Sequence, residues 1–405
     1  MQDCRQKCRV KFDHITNDRA LKEFCDRAAE ASILCFDTEF VSEHSYRPDL
    51  CLVQVAVQGT QAILDPRTVD LAPFWQLLVN PGRETVVHAG REEFRFCVQA
   101  TGKRPYLLFD IQIAAGLLGI EYPAALSTLL SKLLGKNLPK GETRTDWRIR
   151  PLSAQQLRYA AQDVVHLEEL RNTLHSQLEK LGRLHWLVEE MGRFQDDVEA
   201  AEGRQRWRRV SGIAGLSARS LAVVREIWQW RESQAELRDD PPRRVLRDDL
   251  LVEMAKRKVT DLTQMKALRG MERGDLRRQL PEIAVAIQRG LDLPESELPR
   301  SERRELPAQL TVLGQFLTTA VANLVRAQQL TPSLVCTVQD VRDLIAYRLG
   351  FSDPSDAPPL LAQGWRAQVV GTLIDDLLAG RLALRIANPH SEDPLVFERF
   401  EPKAK

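Results

Sequence analysis

The chain has 405 residues, 43% of them hydrophobic, and 57 Lys and Arg against 56 Asp and Glu leave a net charge of +1. That size asks for two to four globular domains. No apolar run approaches the roughly 20 residues a bilayer span needs, the start Met1-Gln2-Asp3-Cys4-Arg5 does not read as a secretory signal, and seven scattered cysteines without a Cys-x-x-Cys pair suit free thiols in a reducing cytoplasm rather than a disulfide scaffold.

Ser32-Ile33-Leu34-Cys35-Phe36 is an apolar run of strand formers, predicted to lie inside a sheet. It leads into Asp37-Thr38-Glu39-Phe40. Strand side chains alternate, so Asp37 and Glu39 point the same way. Two close carboxylates at a buried strand end repel each other unless a cation sits between them. Mg²⁺ or Mn²⁺ suits oxygen ligands, and two such ions about 3.5–4 Å apart activate water and steady the leaving oxygen of a phosphodiester. Taken alone, the pair also reads as strand-end acids that only cap loops. Gln54, on the strand Leu52-Val53-Gln54-Val55, either faces that site or pairs polar groups within the sheet.

Further on, Val86-Val87 ends another apolar strand and Gly90 marks a turn into a helix carrying Glu92 and Glu93. His88 sits at the turn, either beside a substrate phosphate or satisfied by a backbone carbonyl. Asp110, in Phe109-Asp110-Ile111-Gln112, reads as the cap of the next helix. Arg144, in Arg144-Thr145-Asp146-Trp147, either grips phosphate or pairs with Asp146. Ser153 and Gln156 form a helix-start signature, which puts Tyr159 and Asp163 four apart on one helical face. An aromatic packed in the core and a surface charge are the bland readings of that pair.

After about residue 200 helical spacing takes over. Between Ala201 and Leu280 there are 19 Lys and Arg against 12 Asp and Glu, a local excess of +7. Arg204, Arg206, Arg208 and Arg209 surround Trp207, either a contact for a nucleic-acid backbone and base or a solvated linker. Leu221, Val224, Ile227 and Trp228 mark one helix face. The charged, proline-rich stretch from Leu293 to Pro307 suits a linker. A last helical block follows to about Leu384, with Val312, Phe316, Ala320 and Leu324 along one helix. An offset of 94 residues aligns Asp249-Leu250 with Asp343-Leu344 and Gly270 with Gly364, as a repeated module would.

The ordered set Asp37-Thr38-Glu39, His88-Ala89-Gly90, Asp110-Ile111-Gln112, Arg144-Thr145-Asp146-Trp147 and Tyr159 through Asp163 resembles the RNase D branch of the DEDD exonucleases. Leu221 through Gln288 resembles an HRDC domain on Trp228-Gln229-Trp230-Arg231, Val245 through Leu250 and Leu268-Arg269-Gly270. The last block resembles a diverged second copy. The resemblance implies a ribonuclease-H-like α/β exonuclease domain over residues 1–200, then two small all-α modules over 210–292 and 305–390. It implies a 3′→5′ exoribonuclease that releases 5′-nucleotides, using Mg²⁺ or Mn²⁺, two ions per site. Its substrate would be RNA with a free 3′ end, transfer-RNA precursors in particular. Asp37 would bridge the ions, Glu39 and Asp163 would hold the one that activates water, and Tyr159 would orient that water. Phe40, His88, Arg144, Arg206, Trp207 and Arg208 are the candidate RNA contacts. One residue departs from the family pattern: Glu93 stands five residues after His88, where Asp is usual. A glutamate there either still serves the second ion or misplaces it, and about 1 Å of misplacement costs on the order of 10²-fold in rate. No phosphate-binding Gly-x-x-x-x-Gly-Lys loop is present, so ATP use is not expected. The expected state is a cytoplasmic monomer without a membrane partner. A DNA exonuclease and an RNA-binding protein with an impaired site are the alternatives.

Overall fold

The structure, a computed structural model, describes residues 11–138, 145–202, 206–299, 307–353, 357–391 and 394–400. Six strands form one sheet: β1 (Asp13–Ile15), β2 (Ile33–Val41), β3 (Asp49–Val57), β4 (Thr60–Leu64), β5 (Glu84–Val87) and β6 (Leu107–Asp110). Their order is β1-β4-β3-β2-β5-β6, with β2, β3 and β4 antiparallel and the β1-β4, β2-β5 and β5-β6 pairs parallel. Helices cover both faces, so the central strands read as apolar runs rather than as alternating ones. The strand predicted at Ser32–Phe36 continues through the acidic motif, which therefore lies on β2 itself.

Phe36 meets Phe74 and Trp75 edge-on, with ring centroids at 5.6 and 6.1 Å. That face of β2 is covered by α2 (Ala72–Val79) and α3 (Arg91–Thr101), and α1 (Asp18–Ala28) packs against α2. Alternation then turns Asp37 and Glu39 to the other layer. Past α4 (Ile111–Gly116) and α5 (Leu126–Leu129), that layer holds α6 (Ala154–Val164) and α7 (Leu167–Lys180). The predicted start of α6 is present as a full capping box. Ser153 accepts from the Gln156 amide, and the Gln156 side chain accepts from the Ser153 amide at 2.8 Å.

The long α8 (Leu184–Glu202) leads out of this unit into a helical module with its own core. It comprises α9 (Ala218–Arg238), α10 (Pro242–Val245), α11 (Asp248–Arg257), α12 (Leu262–Lys266) and α13 (Gly274–Asp292). Leu221, Val224 and Ile227 are buried there, as their spacing predicts. The last block holds α14 (Ala308–Ala327), α15 (Pro332–Val335), α16 (Val338–Arg348), α17 (Gly364–Arg366) and α18 (Thr372–Leu378). It ends in an antiparallel hairpin, β7 (Leu382–Ile386) with β8 (Leu395–Arg399), which the helical reading did not include and which the expected boundary at 390 would cut. Four helix starts repeat between the two helical blocks at 90 residues: Ala218 and Ala308, Pro242 and Pro332, Asp248 and Val338, Gly274 and Gly364. This corrects the offset of 94, because Gly364 answers to Gly274 and not to Gly270.

On α14 the buried face is Leu310, Leu317, Ala320, Val321 and Val325, whereas Val312 and Phe316 are 67% and 55% exposed. By length and composition alone α14 is apolar enough to cross a membrane, but Leu310, Leu317, Val321 and Val325 pack it into the apolar core, as a core helix would.

The two helical blocks are joined to the exonuclease unit differently. The first meets the β2–β3 loop through polar contacts: the Tyr46 amide donates to Asp239 (3.1 Å), the Tyr46 hydroxyl to Glu232 (3.2 Å), and Arg47 pairs with Glu236 (2.8 Å). The last block shares the apolar core of the exonuclease unit. Arg183 donates to the carbonyls of Leu117 and Gln329, both at 2.8 Å. Arg366 forms a fully buried pair with Glu190 at 2.5 Å, and the Trp186 and Trp365 rings stack at 5.2 Å. Gly119, at φ +71°, lets the Gln329 backbone approach; a Cβ there would lie 2.7 Å from it.

Candidate active site

Asp37 and Glu39 reach the site from the middle of the sheet, and α6 lies across β2, β3 and β4 to bring Tyr159 and Asp163 over them. The carboxylates act on one another directly. Burial, then the Asp163 charge, pushes Asp37 up to about 7. Burial, then Asp37, Asp163 and Glu93, pushes Glu39 up to about 9. Asp163 is raised by its burial to about 7. Tyr159 is raised by burial and by the same three acids, Asp163, Glu39 and Asp37. Its ring stacks on Trp147, buried within the predicted Arg144–Trp147 motif, at 6.1 Å. The two sequence motifs therefore hold one phenol between them.

Glu93 arrives from the opposite helical layer, on α3. Its carboxylate accepts from the Thr38 hydroxyl at 2.6 Å, and burial followed by the Asp37 charge pushes it up to about 8. Thr38 faces away from Asp37 and Glu39 by strand alternation, so Glu93 is tied to the far side of β2. The reading of the motif as two acids passed over Thr38; its place between them on a strand was the available signal. Asp110 is the predicted cap, accepting from the Gln112 amide, and it does more: it also accepts from the amides of Ala89 (3.1 Å) and Gly90 (2.8 Å). It thereby holds the turn, left-handed at Ala89 (φ +56°), that launches α3 and Glu93.

The structure separates the remaining candidates. The His88 ring shares a hydrogen bond with the Ala124 carbonyl at 2.9 Å, and burial lowers its pKa. Phe40, half-buried just past Glu39, packs edge-on against Phe96 at 5.8 Å. Arg206 lines a cavity of about 430 Å³ where α3, α8 and the β2–β3 loop meet α9. Trp207 is corrected: it is 3% exposed in the core of the first module, so its ring is closed to a base, and Arg208 lies over it at 4.6 Å. Arg144 and Arg204 fall outside the described residues, and Asp146 pairs with Arg148 at 2.8 Å.

All donors at the site are oxygens. Among the described residues no Lys or Arg pairs with Asp37, Glu39, Glu93 or Asp163; burial raises all four, and acidic neighbours raise Asp37, Glu39 and Glu93 further. That donor set fits a hard divalent cation. Among the described residues, however, no three His, Cys, Asp or Glu side chains are already gathered as an ion-holding group. The acids share one field without converging on one point.

A mixed six-stranded sheet with acids at its centre, faced by a Tyr-x-x-x-Asp helix, defines an exonuclease of the ribonuclease-H-like α/β class. The 3′-5′ exonuclease domain profile matches residues 12–179, and the HRDC domain profile matches residues 220–287. Ribonuclease D of Acidiphilium cryptum is 33% identical over 91% of this chain and 94% of its own length. Ribonuclease D of Gluconacetobacter diazotrophicus is 32% identical over 92% and 94%. The crystal structure of Escherichia coli RNase D, described as an exoribonuclease involved in structured RNA processing, superposes with a TM-score of 0.81 at 25% identity over 92% of this chain and 99% of that one. The chain belongs to the ribonuclease D family. It is a 3′→5′ exoribonuclease, with an HRDC domain following its exonuclease domain.

Proposed function

We propose that this enzyme shortens RNA 3′ ends, transfer-RNA precursors among them, by metal-assisted hydrolysis at Asp37, Glu39, Glu93 and Asp163. The observation that carries this reading is that burial raises Asp37, Glu39 and Asp163 and that the Asp163 charge, far away in sequence, raises Asp37 and Glu39 further, with no cation paired to them among the described residues. Asp37, Glu39 and Asp163 would hold a divalent ion, Mg²⁺ or Mn²⁺, and Glu93 would serve a second beyond Asp37. Bound there, such ions supply charge stabilisation to the attacking and leaving oxygens. Tyr159, pinned by Trp147, orients the attacking water and stays protonated, since burial and then its acidic neighbours raise its pKa. Asp110 fixes the turn that aims α3. The last block, on its 90-residue repeat, reads as a second HRDC-like module. We take the enzyme as a monomer; its free thiols at Cys25, Cys35, Cys51, Cys97 and Cys336 suit the reducing cytoplasm.

Product analysis on a defined RNA with a single-stranded 3′ tail tests this. Mg²⁺ or Mn²⁺ should give 5′-mononucleotides in order from the 3′ end. Chelation should abolish release, and Asp163→Asn should cut it at least about 10²-fold. Matched DNA degraded faster than RNA would overturn the substrate assignment, and internal cuts would overturn the polarity.

A further inference from the structure

Gln54 is fully buried on β3, and among the described residues neither its amide nitrogen nor its amide oxygen has a hydrogen-bond partner. Native cores satisfy nearly all such groups, so an orphaned amide asks for an explanation. Its address supplies one. In the antiparallel ladder Gln54 pairs with Asp37 across β2 and β3. Directly opposite residues share a face of the sheet and are nearest neighbours. Gln54 therefore stands beside Asp37, under α6 with its Asp163 and Tyr159. On its other side it is paired with Ile63 of β4, an apolar residue that offers no side-chain hydrogen bond.

We propose that Gln54 is a positioning residue: its amide, which makes no hydrogen bond in the structure, is the donor that the Asp37 carboxylate meets when it turns to hold an ion, and it so sets the orientation of Asp37 there. Metal ligands are held in place by outer hydrogen bonds, and removing one costs about 10–100-fold in metal affinity or activity. An amide is chemically suited to this role, because it donates a hydrogen bond to a carboxylate without adding a charge that would compete with the cation. The inference rests on Asp37 being a metal ligand, as proposed above.

The test is Gln54→Met, close in shape and apolar. Replacing an unpartnered buried amide by an apolar group does not destabilise a core, so in chelator, where the amide is unbonded, this variant should melt at or above the wild-type temperature. Its kcat should fall about tenfold or more, its half-saturating Mg²⁺ should rise about tenfold, and its KM for RNA should stay the same. Should Gln54→Met not fold, Gln54→Asn keeps the amide but shortens its reach and should show the same metal defect. A folded variant with wild-type kcat and Mg²⁺ dependence overturns the proposal. So does a loss confined to KM for RNA. Wild type and Asp163→Asn run alongside separate the two readings. An inactive wild type, or an active Asp163→Asn, defeats the metal site itself; an active wild type beside an undisturbed Gln54→Met defeats only the role of Gln54.

Discussion

Glu93 carries one methylene more than the aspartate expected at its position, and the Thr38 hydroxyl takes up that length. Shortening it in Glu93→Asp withdraws the carboxylate from Thr38 and frees it for the Asp37 side of the strand. The variant should keep its rate within about threefold or exceed it, measured as mononucleotide release at saturating Mg²⁺; a drop of about tenfold or more would show that the Thr38 tether sets the ion's place. The acids and Tyr159 were legible because each sits in a short motif whose backbone geometry is local: alternation on a strand, four-residue spacing on a helix. Asp110 was legible as a cap, but its hold on the Ala89–Gly90 turn spans 20 residues and appears only in the fold. Trp207 was misread because an aromatic among arginines has the same sequence pattern whether its ring faces solvent or a core.

At the scale of elements, β2 and α6 were visible in sequence through apolar runs and capping residues. The stripe on α14 was not. Val312 and Phe316 fit a helical period as well as Leu317 and Val321 do, and only the packing of α14 on α16 selects the second set. The buried Arg366–Glu190 pair, 176 residues apart in sequence, locks the last block to α8. Arg366→Met leaves Glu190 buried without that partner, though Arg193 still reaches it at 2.6 Å. Breaking one side of a buried pair costs about 3–5 kcal/mol, so calorimetry should show an earlier or split transition. Unchanged melting would mean that the shared apolar core alone carries the joint. The first module is held at Tyr46 and Arg47 by largely exposed polar contacts.

Across the whole molecule, near-neutral charge conceals a concentrated acidic site. For Asp37, Glu39, Glu93 and Asp163 the folded-state pKa lies above the unfolded value. The folded chain then binds protons more tightly than the unfolded one. The stability so supplied is present below about pH 4 and is lost as pH rises through about 7 to 9. In chelator, the melting temperature should fall across that window, and Mg²⁺ should restore it by binding the folded state. Asp163→Asn should melt about 5 °C higher than wild type in chelator near pH 8. A lower melting temperature for that variant would defeat the repulsion account.

By itself the amino-acid sequence determined the local pieces: which strand carries the acids, which helix carries Tyr159 and Asp163, and where each begins. Those features follow from backbone periodicity and capping, which reach only a few residues. Which way Glu93 turns, which face of α14 is covered, which module is bolted down and which buried amide stands beside Asp37 were decided by tertiary structure. Each depends on a partner tens to hundreds of residues away, and no local pattern encodes where such a partner will lie.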